Sequence, residues 1–245
     1  MQSSRHATGE GEEVIVWQQS RGGCDYQIRT AGNSVRLYRN GVFHSQYNGS
    51  RLLNGGVWDM LWLPLCFLPT QQVRRVLMLG VGSGAALKKI HDFYPQAKLT
   101  GVDIDGQHLR IAKRFTRLCS ANIKLIEADA QAWLRTAQGF KFDIIIDDLF
   151  IEQGGEPSRA FAFDAKWLGL LRRRLAKNGL LVANCVAMAE ARQLLQQPAA
   201  KTQRPGARPG FDQGYTLQQA GYANVVAAVS DSPLHMRELK SRFAT

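Results

Sequence analysis

The sequence predicts an α/β protein: a doubly wound, mostly parallel sheet preceded by a small N-terminal β-hairpin domain. Three observations predict it. From Val73 onward, short apolar runs alternate with segments of helical period, the pattern of parallel strands covered by helices on both faces. Before that point the texture is β throughout, with alternating runs separated by Gly and Asn. Finally, one buried run ends in a glycine-rich turn, and the next three end in aspartates.

The elements follow in chain order. Residues 1–13 are polar and rich in Gly, Ser and Glu, and are read as a disordered tail. The β-hairpin domain spans 14–55, with VIVWQ, DYQIRT, SVRLYR and VFHSQY as strands. Asn40-Gly41 joins the last two, and this pair suits a type I′ turn because both positions need positive φ. The Rossmann-like domain spans 56–245. Its strands are VRRVLMLG, KLTGVDID, IKLIEAD, FDIIIDD, GLLVANCV and YANVVAAVS. Its helices are expected over 85–94, 107–118, 130–138, 165–175 and 233–243, the fourth closed by Asn178-Gly179 as a C-cap pair. Residues 151–158 form a lid or a plain connector. Residues 197–214, rich in Pro, Gly and Gln, are an exposed loop. Trp58, Trp62 and Phe67 are core or interface residues.

Composition narrows the class. Apolar residues make up 45% and charged residues 21% of 245, ordinary for a folded soluble chain. The four cysteines, Cys24, Cys66, Cys119 and Cys185, show no zinc spacing and read as free thiols in a reducing compartment. No metal site is expected. The start lacks an apolar signal core, and the most apolar run, MLWLPLCFLP, is too short to span a bilayer. A cytoplasmic protein is expected, with no membrane partner. The net charge is +11, and it rises from +1 over 1–70 to +4 over 71–150 and +6 over 151–245. The largest basic cluster is Arg172-Arg173-Arg174 with Lys177. No aromatic interleaving or known nucleic-acid motif accompanies it. Nucleic acid is therefore not the expected partner, although the basic C-terminal half leaves it open.

The chemistry-bearing residues gather at one edge. In LMLGVGSGAAL, Gly80, Gly82 and Gly84 let the backbone turn tightly and approach a ligand. Asp103 and Asp105 end the second strand, where a carboxylate can accept both hydroxyls of a ribose. Asp129-Ala130 follows the third strand, and Asp147 and Asp148 the fourth. In open α/β sheets, ligands bind at the carboxyl ends of the strands. GVGSGA departs from the dinucleotide fingerprint, and a P-loop is excluded because no GK[ST] is present.

The string VLMLGVGSGAALKKI…VDID…IEADAQAWL…FDIIIDDLF resembles the class I S-adenosylmethionine-dependent methyltransferase fold. More narrowly it resembles the spermidine synthase (aminopropyltransferase) family, and LYRNGVFHSQY followed by VWDMLWLPL supports the narrower match. The resemblance covers roughly residues 33–190. It implies that Gly80, Gly82, Ser83 and Gly84 bind the methionine part of S-adenosylmethionine or its decarboxylated form. It implies further that Asp103 binds the ribose, and Asp129 with Ala130 the adenine. Asp147 is then the base that deprotonates an attacking amine, with His44 or Gln46 and Asp148 on the acceptor side. A homodimer is implied as well.

The sequence also departs from the family pattern. Ser83 stands where the family has an Asp suited to the bare amine of the decarboxylated nucleoside. Phe150 replaces the second Asp of its DxxD motif, with Glu152 nearby, and Val57 replaces a Tyr, although Asp59 and Met60 persist. Three readings are open: aminopropyl transfer to an amine, methyl transfer to a small molecule, and a non-catalytic nucleoside-binding member.

Overall fold

The computed structural model describes residues 12–153, 156–196 and 211–243. The expected tail lies outside them up to residue 11, but Glu13 is fixed. Its carboxylate bridges Arg29 and Arg36, each at 3.0 Å, so the ordered chain begins inside the segment read as tail.

Four strands form an antiparallel sheet in chain order: β1 (Val14–Arg21), β2 (Cys24–Ala31), β3 (Ser34–Arg39) and β4 (Val42–Asn48). Asn40 and Gly41 sit at φ 50° and 76°, the two positive values a type I′ turn requires. Alternation sends Tyr26, Ile28 and Leu37 to one face, where they pack on Ile111 of the second domain. Between β3 and β4 the register steps from Tyr38↔Phe43 to Leu37↔Ser45. His44 is therefore the extra residue of a β-bulge, a device that re-aims a side chain.

The link to the large sheet is α1 (Val57–Trp62), buried along its length, and two short 3-10 turns. Trp58, Trp62 and Phe67 enter the main core as expected. Asp59 accepts the backbone N–H groups of Asn54 at 2.5 Å and Gly55 at 2.7 Å, so this acid ties the link rather than a ligand.

The large sheet has seven strands in the order β12-β13-β11-β8-β5-β6-β7. Strands β5 (Arg75–Leu79), β6 (Lys98–Asp103), β7 (Ile123–Glu127), β8 (Phe142–Asp147) and β11 (Leu175–Cys185) run parallel. Strands β12 (Gln213–Gln218) and β13 (Val225–Ser230) extend it antiparallel. The connecting helices are α2 (Ala85–Phe93), α3 (Gly106–Phe115), α4 (Ala130–Thr136), α5 (Ala165–Arg174) and α6 (Met188–Gln196), with α7 (Met236–Phe243) at the end. Strand residues alternate between two apolar layers. Val76, Met78, Ile144 and Ile146 face α1 and α2, while Leu77, Leu79 and Ile145 face α4 and α5. The chain passes from β5 to β6 and β7, then returns to place β8 on the other side of β5. The strand order thus reverses at β5/β8, where the two carboxyl ends open a crevice.

Several elements differ from the expectation. Asn178 and Gly179 do not cap α5. The helix stops at Arg174, and Leu175 already pairs with β8, as Leu180 does further on. Asn178, at φ 63°, lies in the loop-out between these two pairings, and a left-handed residue serves there as it would at a cap. Of residues 151–158, those described belong to a hairpin of β9 (Phe150–Gln153) and β10 (Glu156–Arg159). The expected 197–214 loop lies outside the described residues up to 210, and its end is already β12. The terminal helix starts at Met236 rather than at Pro233.

Candidate active site

The crevice is built from the tips of β5, β6 and β8. Gly80, at φ 82°, leaves β5 in a conformation that L side chains avoid. A Cβ there would also collide with the carbonyl oxygen of Asp148. Glycine is therefore required for the turn and for its close approach to the β8 tip. Asp103 brackets the same turn. Its Oδ2 accepts the N–H groups of Val81 at 2.8 Å and Gly82 at 3.1 Å, and its Oδ1 accepts that of Asp105 at 2.8 Å. Burial raises the Asp103 pKa, but the His108 imidazole and the backbone donors outweigh it and hold the carboxyl below its usual range. This acid is ionised, and it already shapes the turn it was expected to serve beside.

Around Asp103 stands a group contributed by both sheets. His108 on α3 places Nδ1 3.5 Å from Asp103 Oδ2 and Nε2 3.6 Å from Asp105 Oδ2. Tyr26 donates to Asp105 at 2.6 Å, and Arg39 Nε lies 3.8 Å from the same oxygen. The bulge turns His44 towards His108, with ring centroids 5.8 Å apart. Burial, and then the neighbouring His108 and Arg39, push the His44 pKa down to about 4 against the pull of Asp103 and Asp105. His44 is neutral at pH 7. His108 Nε2 and Arg39 Nε are buried with no hydrogen-bond partner among the described residues.

The β8 tip holds two carboxylates in different surroundings. Asp147 is fully buried. Its Oδ2 accepts from Arg159 Nη2 at 2.7 Å and Trp167 Nε1 at 2.8 Å. Asp148 is partly exposed and accepts from Asn184 Nδ2 at 2.8 Å, while Asn184 Oδ1 accepts from Asn224 at 3.1 Å. Burial pushes the Asp148 pKa up to about 6. Asp147 and Asp103 add to the rise, while the Asn184 hydrogen bond and Arg159 resist it.

The structure thus brings Gly80, Gly82, Asp103, His44, Asp147 and Asp148 to one edge. Ser83 is there too, but its hydroxyl is committed to Ser45 Oγ at 2.6 Å. Gly84 starts α2 as its N-cap. Asp129 caps α4 by accepting the Ala132 N–H at 2.7 Å, with Ala130 buried behind it. Gln46 lies apart from the edge. Its amide is used within the β-sheet, accepting from Arg36 at 3.2 Å and donating to Ser34 at 3.5 Å. Sequence reasoning missed Tyr26, Arg39, His108, Arg159, Trp167 and Asn184. Only His108 carried a signal, the i, i+3 spacing from Asp105 on a helix.

A family model described as a methyltransferase domain matches residues 72–231. Polyamine aminopropyltransferase 1 of Hyperthermus butylicus is 30% identical over 125 residues, covering 47% of this chain and 42% of that protein. The chain therefore matches less than half the length of this curated relative. Among solved structures, a probable spermidine synthase from Corynebacterium glutamicum superposes with a TM-score of 0.65 at 19% identity, covering 91% of this chain and 82% of the other. Human methyltransferase-like protein 13 in complex with SAH gives 0.59 at 18% identity, covering 76% and 87%. At these identities the two structures show a shared fold. No helix among the described residues is long and apolar enough to cross a membrane.

Proposed function

The chain belongs to the methyltransferase-domain family, and from that membership we propose that it is a transferase that binds a nucleoside of the S-adenosylmethionine type at the crevice and directs an amine onto a carbon of its sulfonium. The residues fit such a ligand. The glycine turn leaves backbone open at Gly82, where a Cβ would meet only Ser45 Cβ and the His44 carbonyl within 4 Å. Beside it, His108 Nε2 and Arg39 Nε lie 3.6 and 3.8 Å from Asp105 Oδ2 without a hydrogen bond, and are suited to donate on the ribose side. Asp129 and Ala130 stand at the next strand tip for the adenine. The bound nucleoside supplies an activated carbon.

The observation that carries the reading is Asp148 at the β8 tip: its backbone carbonyl packs against Gly80 of the glycine turn, its carboxylate accepts from Asn184 at 2.8 Å, and its pKa is pushed up to about 6. The family resemblance implies Asp147 as the base, but that group is already engaged by Arg159 and Trp167. We assign the proton-accepting role to its neighbour. Asp148 takes a proton from the ammonium as the nitrogen lone pair forms the N–C bond. The C–S bond breaks with its electron pair left on sulfur, which becomes a neutral thioether. Holding the two reactants in line supplies most of the acceleration.

Aminopropyl transfer is the reading closest to the curated relative. Methyl transfer from S-adenosylmethionine itself is the second, and Ser83 favours it, because that position carries no acid to repel the methionine carboxylate. Calorimetric titration with S-adenosylmethionine, its decarboxylated form and methylthioadenosine decides between them. A preference for the carboxylated form would remove the aminopropyl reading, and binding of none would remove both.

A further inference from the structure

The buried Asp147 carboxylate at the β8 tip is already paired with a cation. Arg159, the last residue of β10, reaches back from the hairpin to the β8 tip. Its Nη2 donates to Asp147 at 2.7 Å, its Nη1 to the Asn184 carbonyl at 2.5 Å and its Nε to the Phe161 carbonyl at 3.2 Å. The guanidinium carbon lies 4.0 Å from the centre of the Phe163 ring, a cation–π position. The Arg159 side chain is 3% exposed and that of Asp147 not at all. Every feature of an ammonium subsite is present: a buried carboxylate, two carbonyl acceptors and an aromatic face. The chain's own side chain fills each of them.

We propose that Arg159 is the resident occupant of a cation subsite at Asp147, and that the acceptor is a molecule with one nucleophilic group at Asp148 rather than a diamine anchored at both ends. The acceptor half of the inference rests on the transferase reading above, while the occupancy half does not. A diamine carries two charges, and each one buried needs a paired acceptor. Here the deep acceptor is taken, and Phe150 at the start of β9 offers no second carboxylate. The occupant is tethered by its own hairpin, so it competes as an intramolecular ligand at high effective concentration. Millimolar free amine is expected not to displace it.

Methylguanidinium is the probe for occupancy. It is used at millimolar concentration, far below the molar range in which guanidinium unfolds proteins. The wild-type melting temperature is expected to be unchanged by methylguanidinium or by 1,4-diaminobutane. Arg159→Ala is expected to melt lower and to recover with methylguanidinium, and the double variant Arg159→Ala/Asp147→Asn not to respond. If Arg159→Ala does not fold by itself, refolding yield with and without methylguanidinium reads the same event. A folded Arg159→Ala that ignores the ion, or a refolding yield that the ion leaves unchanged, overturns the proposal. So does calorimetric binding of 1,4-diaminobutane to the wild type that a folded Asp147→Asn abolishes. None of these measurements needs the nucleoside. Failure to bind any nucleoside sinks the transferase reading and leaves the occupancy result legible, and the reverse also holds.

Discussion

Ser83 Oγ donates a 2.6 Å hydrogen bond to Ser45 Oγ, and this one contact ties the glycine turn of the large sheet to β4 of the small one. Both side chains are buried, at 0% and 1% exposure. Ser83→Ala leaves the Ser45 hydroxyl short of a partner and is expected to cost about 1–3 kcal/mol in denaturant melts. Ser83→Asp instead places a carboxylate beside the turn. It is expected to shift the affinity ratio towards the decarboxylated nucleoside by about tenfold, or about 1.4 kcal/mol. An unchanged ratio in a folded variant would detach Ser83 from the methionine end.

Asp148 predicts a pH profile. Its carboxyl must be ionised to accept a proton, so the rate is expected to rise through pH of about 6 and level above it. Asp148→Asn is expected to lose about 10²–10⁴-fold in kcat. Asn184 donates to the ionised form, so Asn184→Ala moves the inflection upward. The effect on stability has a definite sign. The folded pKa lies above the ordinary aspartate value of 3.8, so the folded chain holds the proton longer than the unfolded one. This group therefore lowers stability as pH rises from about 4 through 6, and Asp148→Asn removes that slope.

The Arg159–Asp147 pair predicts strong coupling. Removing either partner strands a buried charge, and each single substitution is expected to cost about 3–5 kcal/mol. The double substitution is expected to cost less than the sum, with a coupling of about 0.5–3 kcal/mol in a double-mutant cycle. Simple additivity would show that the pair does not act as a unit.

His44 predicts acid sensitivity. Its folded pKa is about 4 against an ordinary value of 6.5, so the unfolded chain takes up the proton first. Stability from this group is full above pH 6.5 and is lost as pH falls towards 4. His44→Gln is expected to flatten that part of a melting-temperature profile. A profile as steep as the wild type's would assign the loss to other groups.

The sequence is legible where local chemistry decides structure. Asn40-Gly41 specifies its turn, and the apolar runs from Val76 to Ile146 specify the strands, because each signal is complete within a few residues. The glycine turn and its neighbouring acids are legible for the same reason, since strand ends are set by topology. Other features depend on tertiary partners. The engagement of Asp147 depends on Arg159 and Trp167, twelve and twenty residues away, and a lone Arg in a polar hairpin carries no periodic signal. His44 reads as an ordinary strand residue until the β3–β4 register shows the bulge. Asn178-Gly179 reads as a helix cap because positive φ serves a cap and a strand loop-out equally well.

The amide chain behind Asp148 has a consequence for where a transferred proton travels. Asn224 donates to Asn184, and Asn184 donates to Asp148. Neither amide titrates in the physiological range. The chain of donors is therefore one-way in polarity, and a proton taken up by Asp148 in the proposed transfer has no titrating group among these two amides to pass to.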